Sequence, residues 1–295
     1  MIRKPDYERG RFFISPILGC NAQCRFCYIY NKGYGTKAVR NEFSISQVLE
    51  HIYSHPNFKL GRDGSIISIG AWGDPFPRYN KELCLHSLHW LNELSSLYNP
   101  IQIMSRYELR TNIIDGIAKA NHYIGHILYS TSISSIGRFR EIEPYSDMPE
   151  NRLRSLKLLR ESGVATNVMV KPFILGITDL EATEIAMVMK KYEVEQCVVG
   201  DLLLDSRVKK EFTDIGLPIS LENEEKQILD CTSGESYELS ASGKVIVLSR
   251  VISDLGIKVF RKSSCVNSYI LKVPNPANYI QSDPNKYCIN CGVCK

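Results

Sequence analysis

Arg11-Phe-Phe-Ile-Ser-Pro-Ile-Leu18, followed at once by Gly19-Cys-Asn-Ala-Gln-Cys-Arg-Phe-Cys-Tyr-Ile-Tyr30, is the stretch on which the reading of this chain turns. Its first half is rich in aromatic and β-branched residues and reads as a strand. Its second half places Cys20, Cys24 and Cys27 in a C-x3-C-x2-C spacing. Three thiolates so close together can hold three irons of a cubic iron–sulfur cluster and leave the fourth iron without a protein ligand. Most electron-transfer clusters are closed by four cysteines, so an open corner suggests a place for substrate or cofactor. The competing readings are a zinc knuckle and unconnected buried cysteines. Zinc asks for a fourth Cys or His nearby, yet the nearest histidine is His51 and the next cysteine is Cys84. The position of the triplet directly after a strand favours the cluster.

Outward from this loop, short apolar runs alternate with longer amphipathic ones, the pattern of repeated strand–helix units and a parallel sheet. After the strand at Arg11 to Leu18, Ser44 to His55 reads as a helix with Ser44 or Ser46 as its N-cap. Further strands fall at Ser65 to Gly70, Ile101 to Ser105, Ile127 to Ser132, Val164 to Phe173 and Gln196 to Gly200. The helices between them are Tyr79 to Tyr98, Glu108 to Ala120, Glu150 to Ser162 (ended by Gly163) and Leu180 to Tyr192. Beyond Asp201 the alternation stops. A helix is expected within Glu222 to Leu229 and another at Ser242 to Gly256, and the last stretch is rich in cysteine. Six strand–helix units predict an α/β fold, a partial (β/α)6 TIM-type barrel over residues 1–200, with a cysteine-rich C-terminal extension over residues 201–295. In such barrels chemistry sits at the C-terminal ends of the strands. The cysteine loop and the turn Ala71-Trp-Gly-Asp-Pro-Phe-Pro77 both fall there.

The chain of 295 residues is long enough to bury a large core. A net charge of +4 is too mild to demand nucleic acid and leaves room for an anionic substrate. No apolar run approaches the roughly 18 residues needed to span a bilayer, and the opening Met-Ile-Arg-Lys-Pro-Asp lacks the apolar stretch of a secretory signal. Ten cysteines in such a sequence predict metal or redox chemistry in a reducing cytoplasm, not disulfides.

The cysteine spacing, with Phe26 before its last member, resembles the signature of the radical S-adenosylmethionine (SAM) superfamily. The resemblance implies a [4Fe-4S] cluster on Cys20, Cys24 and Cys27 whose open iron chelates SAM. Reductive cleavage would give a 5′-deoxyadenosyl radical that abstracts hydrogen from a substrate, with oxygen sensitivity and an electron donor of the flavodoxin or ferredoxin type. Gly73-Asp74-Pro75 stands where such enzymes carry acceptors for the SAM ammonium; as sequence alone it is also an ordinary turn. Phe26 would pack on the adenine or merely shield the cluster, and backbone near Tyr28 would bond the adenine edge. Ser132 and Arg138 are candidates for the SAM carboxylate. Asn167 to Glu181 resembles the adenine-contacting stretch, with Ile174 and Gly176 at matching positions and Asn167 a further cofactor-binding candidate. Lys171 is a candidate catalytic residue, an anion ligand or a partner of a carboxylate. The segment from Ser134 to Glu181 and the Asp74-Pro75 pair resemble the spore photoproduct lyase-like branch, whose members often carry a DNA repair label. Spore photoproduct lyase has a hydrogen-donating cysteine shortly before its Asp-Pro element. The matching position here is Ala71, which with the mild charge counts against nucleic-acid repair.

Cys288-Ile-Asn-Cys291-Gly-Val-Cys294 has the spacing of part of a ferredoxin loop, and Cys265 can supply a fourth thiolate. A second iron–sulfur cluster and a structural zinc site both fit these four. Cys84, Cys197 and Cys231 read as small buried apolar residues, and His86 and His89 as packing residues of one helix. Three classes of function remain open: a radical SAM enzyme acting on a small molecule or peptide, a nucleic-acid lesion enzyme, and a non-enzymatic two-cluster electron carrier or regulator.

Overall fold

A computed structural model describes residues 1–217, 237–239 and 242–277. The elements run β1 (Asp6–Glu8), β2 (Arg11–Ile14), β3 (Ile17–Leu18), β4 (Val39–Arg40), α1 (Ile45–Ser54), β5 (Ile66–Ile69), α2 (Lys81–Ser95), β6 (Ile101–Ser105), α3 (Thr111–Ala120), β7 (Ile127–Ser132) and α4 (Phe139–Ile142). They continue with α5 (Pro149–Glu161), β8 (Ala165–Val170), α6 (Ala182–Lys191), β9 (Gln196–Val199), β10 (Leu202–Leu204), α7 (Ser206–Asp214), β11 (Tyr237–Leu239), α8 (Ser242–Asp254), β12 (Lys258–Phe260) and α9 (Ser263–Leu271). The main sheet has the order β1-β2-β5-β6-β7-β8-β9-β12. All of its pairings are parallel except β1 with β2.

Alternation along the strands assigns the two faces. Ile67, Ile69, Ile101, Ile103, Val168 and Val170 point into one cluster with Trp90, Ile113, Leu156 and Ile185 from the covering helices. Leu128, Val198 and Phe260 point the other way, onto Cys265 and Val266 of α9. The crossover helices lie on one side, and the other side is left for α9 and a cavity.

The sheet is open, as a partial barrel implies, with β1 and β12 as unpaired edges among the described residues. The expectation of six strands is corrected: a seventh parallel strand, β12, pairs with β9 and comes from the segment read as an extension. Three residues, Lys-Val-Phe, are too short a run to show periodicity, and only their register with Gln196 to Val198 makes them a strand. The first strand is likewise shorter than its apolar run. Pro16 has no N–H to continue a ladder, so β2 stops at Ile14 and β3 pairs antiparallel with β4 in a separate ribbon. Local chemistry fixes other boundaries as expected. Ser44 caps α1 through a capping box in which its hydroxyl accepts from Gln47 N–H and Gln47 Oε1 accepts from Ser44 N–H. Gly163, at φ +81°, ends α5. The helix expected within Glu222 to Leu229 and Cys231 lie outside the described residues.

Candidate active site

Every loop that leaves the C-terminal end of β2, β5, β6, β8 and β9 contributes to one cavity of about 490 Å³. Cys20, Cys24 and Cys27 stand in its wall. Their loop is clamped from several sides. Gly19 N–H donates to the Trp72 carbonyl (2.9 Å) and Cys20 N–H to that of Gly35 (3.2 Å). Tyr30 Oη donates to the Cys20 carbonyl (3.0 Å) and Arg207 Nη1 to that of Cys27 (3.0 Å). Gly19 lies at φ +73°, where a Cβ would meet the Lys37 carbonyl oxygen at 2.5 Å, so only glycine turns the chain there.

Burial pushes the Cys20 thiol up to about 12 and the Cys24 and Cys27 thiols upward as well. The three thiols therefore stay protonated until a cationic centre stabilises them as thiolates. Among the described residues no three His, Cys, Asp or Glu side chains converge so as to hold a metal ion. A cubane does not ask for convergence, because each iron takes its own thiolate. The donor set, three thiols on one wall of one cavity, fits a [4Fe-4S] cluster.

Arg106, immediately after β6, is the residue that sequence reading missed. Its guanidinium lies 4.7 Å over the Phe26 ring, Nη1 reaches Glu143 Oε1 (2.9 Å), and Nη2 donates to the Lys171 carbonyl (3.3 Å). Burial opposes its charge, but the Glu143 carboxylate outweighs that and keeps it a cation. A positive charge is thus fixed beside the cysteine wall. The available signal was an arginine at the very end of a parallel strand.

The other expected site residues divide. Phe26 lines the cavity and is buried. Tyr28 lines it too, with its hydroxyl donating to the Ala71 carbonyl (2.7 Å). At Gly73 a Cβ would come within 2.6 Å of the Ile17 and Gly19 carbonyl oxygens, so close approach of the two loops requires glycine. Asp74 Oδ1 accepts from Phe76 N–H (2.9 Å) and Ser105 Oγ (2.8 Å), and Oδ2 from Arg106 N–H (2.8 Å). One acceptor position on Oδ2 remains. Lys171 lines the cavity, and its carbonyl accepts from Ser132 Oγ (2.6 Å). Ser132 is buried in that contact, while Ser130 reaches the cavity. Asn167 is buried and accepts from Ser130 Oγ (2.5 Å). Ile174 packs behind Cys24 and Phe26. Arg138 is not brought to the cavity: it is exposed and paired with Glu141 (2.6 Å). Cys265 lies in α9 against Leu128 and Val198, and Cys288, Cys291 and Cys294 lie outside the described residues. His86 packs on the Trp90 ring at 5.5 Å, and Cys84 and Cys197 are core residues. Among the described residues no helix is long and apolar enough to cross a membrane.

The parallel sheet, its one-sided helices and the cysteine loop at the strand ends give this chain the fold of radical SAM enzymes. Within that class it resembles spore photoproduct lyase with bound AdoMet and dinucleoside spore photoproduct, at a TM-score of 0.65 and 13% identity over 85% of this chain and 76% of that one. Streptococcus suis SuiB superposes at 0.55 and 14% identity, over 85% of this chain and 48% of its own. By sequence the chain matches the uncharacterized protein Rv2578c of Mycobacterium tuberculosis, and a Mycobacterium bovis protein equally, at 22% identity over 180 residues, 57% of this chain and 51% of theirs. The chain thus spans about half the length of the curated relatives it matches. No family model matches.

Proposed function

We propose that this chain is a radical SAM enzyme whose catalytic [4Fe-4S] cluster is held by Cys20, Cys24 and Cys27. The observation that carries the reading is the placement of these three thiols, Cys24 buried and Cys20 and Cys27 half-buried, in the wall of a cavity at the C-terminal ends of the strands. When bound, the cluster would supply the electron that cleaves SAM and so starts hydrogen abstraction from substrate. The chain's own part is to seat and shield. Phe26 offers an apolar face braced by Arg106, Gly73 lets its loop lie close to the cysteine loop, and Asp74 keeps one acceptor for a cationic donor. Lys171 brings an ammonium to the same chamber. Reduction calls for a flavodoxin or ferredoxin-type donor. A second cluster on Cys288, Cys291 and Cys294, with or without Cys265, belongs to the same reading. The expected result of Cys27→Ala is loss of dithionite-dependent 5′-deoxyadenosine formation, measured anaerobically by chromatography. Undiminished formation rejects the assignment.

Lesion repair is the second reading, favoured by the likeness to spore photoproduct lyase. Against it, Ala71 lines the cavity where that enzyme's branch would place a hydrogen-donating cysteine, and the described lining carries no thiol besides Cys20, Cys24 and Cys27. An electron carrier, the third reading, is separated by the cluster's spectrum, which would not respond to SAM.

A further inference from the structure

Away from the cysteines the cavity is lined by Arg11 and Phe13 of β2, Ser68 of β5, Gln102 of β6 and Ser263 at the start of α9, with two carboxylates, Glu8 and Asp201, the latter paired with Arg261 (2.9 Å). Arg11 opens β2, about 10 Å of strand before its far end at Ile14, and the cysteine loop begins only past β3. The Arg11 guanidinium lies 4.8 Å over the Phe13 ring. Its Nε is buried and has no hydrogen-bond partner, and the side chain makes no ion pair among the described residues. Glu8, its partner across the β1–β2 hairpin, turns its carboxylate to Arg9 instead (3.8 Å). Beside it, Gln102 Oε1 accepts from Ser68 Oγ (2.9 Å) and Ser263 Oγ (3.4 Å), while Gln102 Nε2 donates to Asn267 Oδ1 (2.5 Å). Asn267 Nδ2 is then left buried without an acceptor. Arg11, which lines the cavity, thus carries a buried donor without an acceptor, as does Asn267 behind Gln102 and outside the lining, and a buried unpaired donor is costly.

Taking the cavity as the substrate chamber of the functional reading above, we propose that Arg11 anchors an oxyanion of the substrate, a carboxylate or a phosphate, at the end opposite the cysteines. A guanidinium stiffened on an aromatic ring presents its donors as a fixed fork, which suits either group. An anchor there would hold the rest of the substrate between Arg11 and the thiol wall.

The test is titration of the anaerobically reconstituted full-length chain with inorganic phosphate and, separately, acetate, followed by calorimetry. Saturable binding of one of them is expected, and the tighter one identifies the anion. Arg11→Gln should weaken it about tenfold or more, Arg11→Lys less, and Lys119→Gln on the exposed face of α3 not at all. Glu8→Gln, which keeps Arg11 in place and removes the nearby carboxylate, should tighten binding severalfold and decides the matter if Arg11→Gln does not fold. Equal binding by Arg11→Gln, no response to Glu8→Gln, or no saturable binding of either anion by the wild type overturns the proposal. SAM cleavage by the wild type is scored separately: anion binding that depends on Arg11 in a protein that cleaves no SAM supports the anchor and rejects the enzyme class.

Discussion

A methyl group on Gly73 would lie 2.6 Å from the carbonyl oxygens of Ile17 in β3 and Gly19 in the cysteine loop, too close for backbone that is pinned by its own hydrogen bonds. Gly73→Ala is therefore expected to cost about 1–3 kcal/mol and to lower iron content after reconstitution, read by thermal unfolding and iron assay. Wild-type values of both would contradict the tight apposition. At this scale the sequence was informative where chemistry is local. The spacing of Cys20, Cys24 and Cys27, and the glycine of the Asp-Pro turn, need no partner to be recognised. Arg106 needed one, because its role depends on Glu143 and Phe26, which only the fold brings to it. Arg138 failed for the opposite reason, since Glu141 one helical turn on captures its guanidinium at the surface.

Between β7 and α5 the chain makes a clasp over the cysteine loop, and one buried carboxylate closes it. Glu143 contacts Arg152 (2.6 Å) and Arg106 (2.9 Å), with Ser146 Oγ donating to it (3.1 Å). From the same segment the Ile142 carbonyl accepts Arg25 N–H (3.0 Å), and Tyr145 N–H reaches the Ala22 carbonyl (3.3 Å). Burial would raise the Glu143 carboxyl, but Arg152 and Arg106 outweigh it and hold the group below its ordinary value. A lowered folded value means that this stabilisation is complete above the ordinary carboxylate range and is lost as pH falls through the lowered value. Glu143→Gln, which leaves two buried guanidiniums short of their anion, is expected to cost about 3–5 kcal/mol near neutral pH. The gap from wild type should be constant above about pH 5 and narrow as the pH drops below about 4. Denaturant unfolding across that range checks it, and a gap independent of pH would contradict the assignment. The segment's likeness to a known family was legible in sequence, while its work as a clasp was not, because Glu143 and Arg106 meet only after β6 and β7 pair. Elements followed the same rule. β6 and β7 fall on their expected bounds, being runs opened by β-branched and apolar residues between turn signals, whereas β12 and α9 are defined by what they pack against.

Over the whole molecule, one-sided winding is what turns a sequence pattern into a cavity at the strand ends. Helices cover one face of the sheet, and the opposite face is closed at one end by α9 and open at the strand ends where the cysteines stand. The class of fold was legible because strand–helix alternation and the cysteine loop agree. The seventh strand and the plug were not, because both come from a stretch of mixed composition after Asp201. The central claim, an N-terminal cluster with one iron free for SAM, is tested most directly by electron paramagnetic resonance of the reduced chain carrying Cys288→Ala, Cys291→Ala and Cys294→Ala, which isolates the first site. Four irons per chain and a spectrum that shifts on adding SAM are expected; zinc in place of iron, or a cluster signal indifferent to SAM, would contradict it.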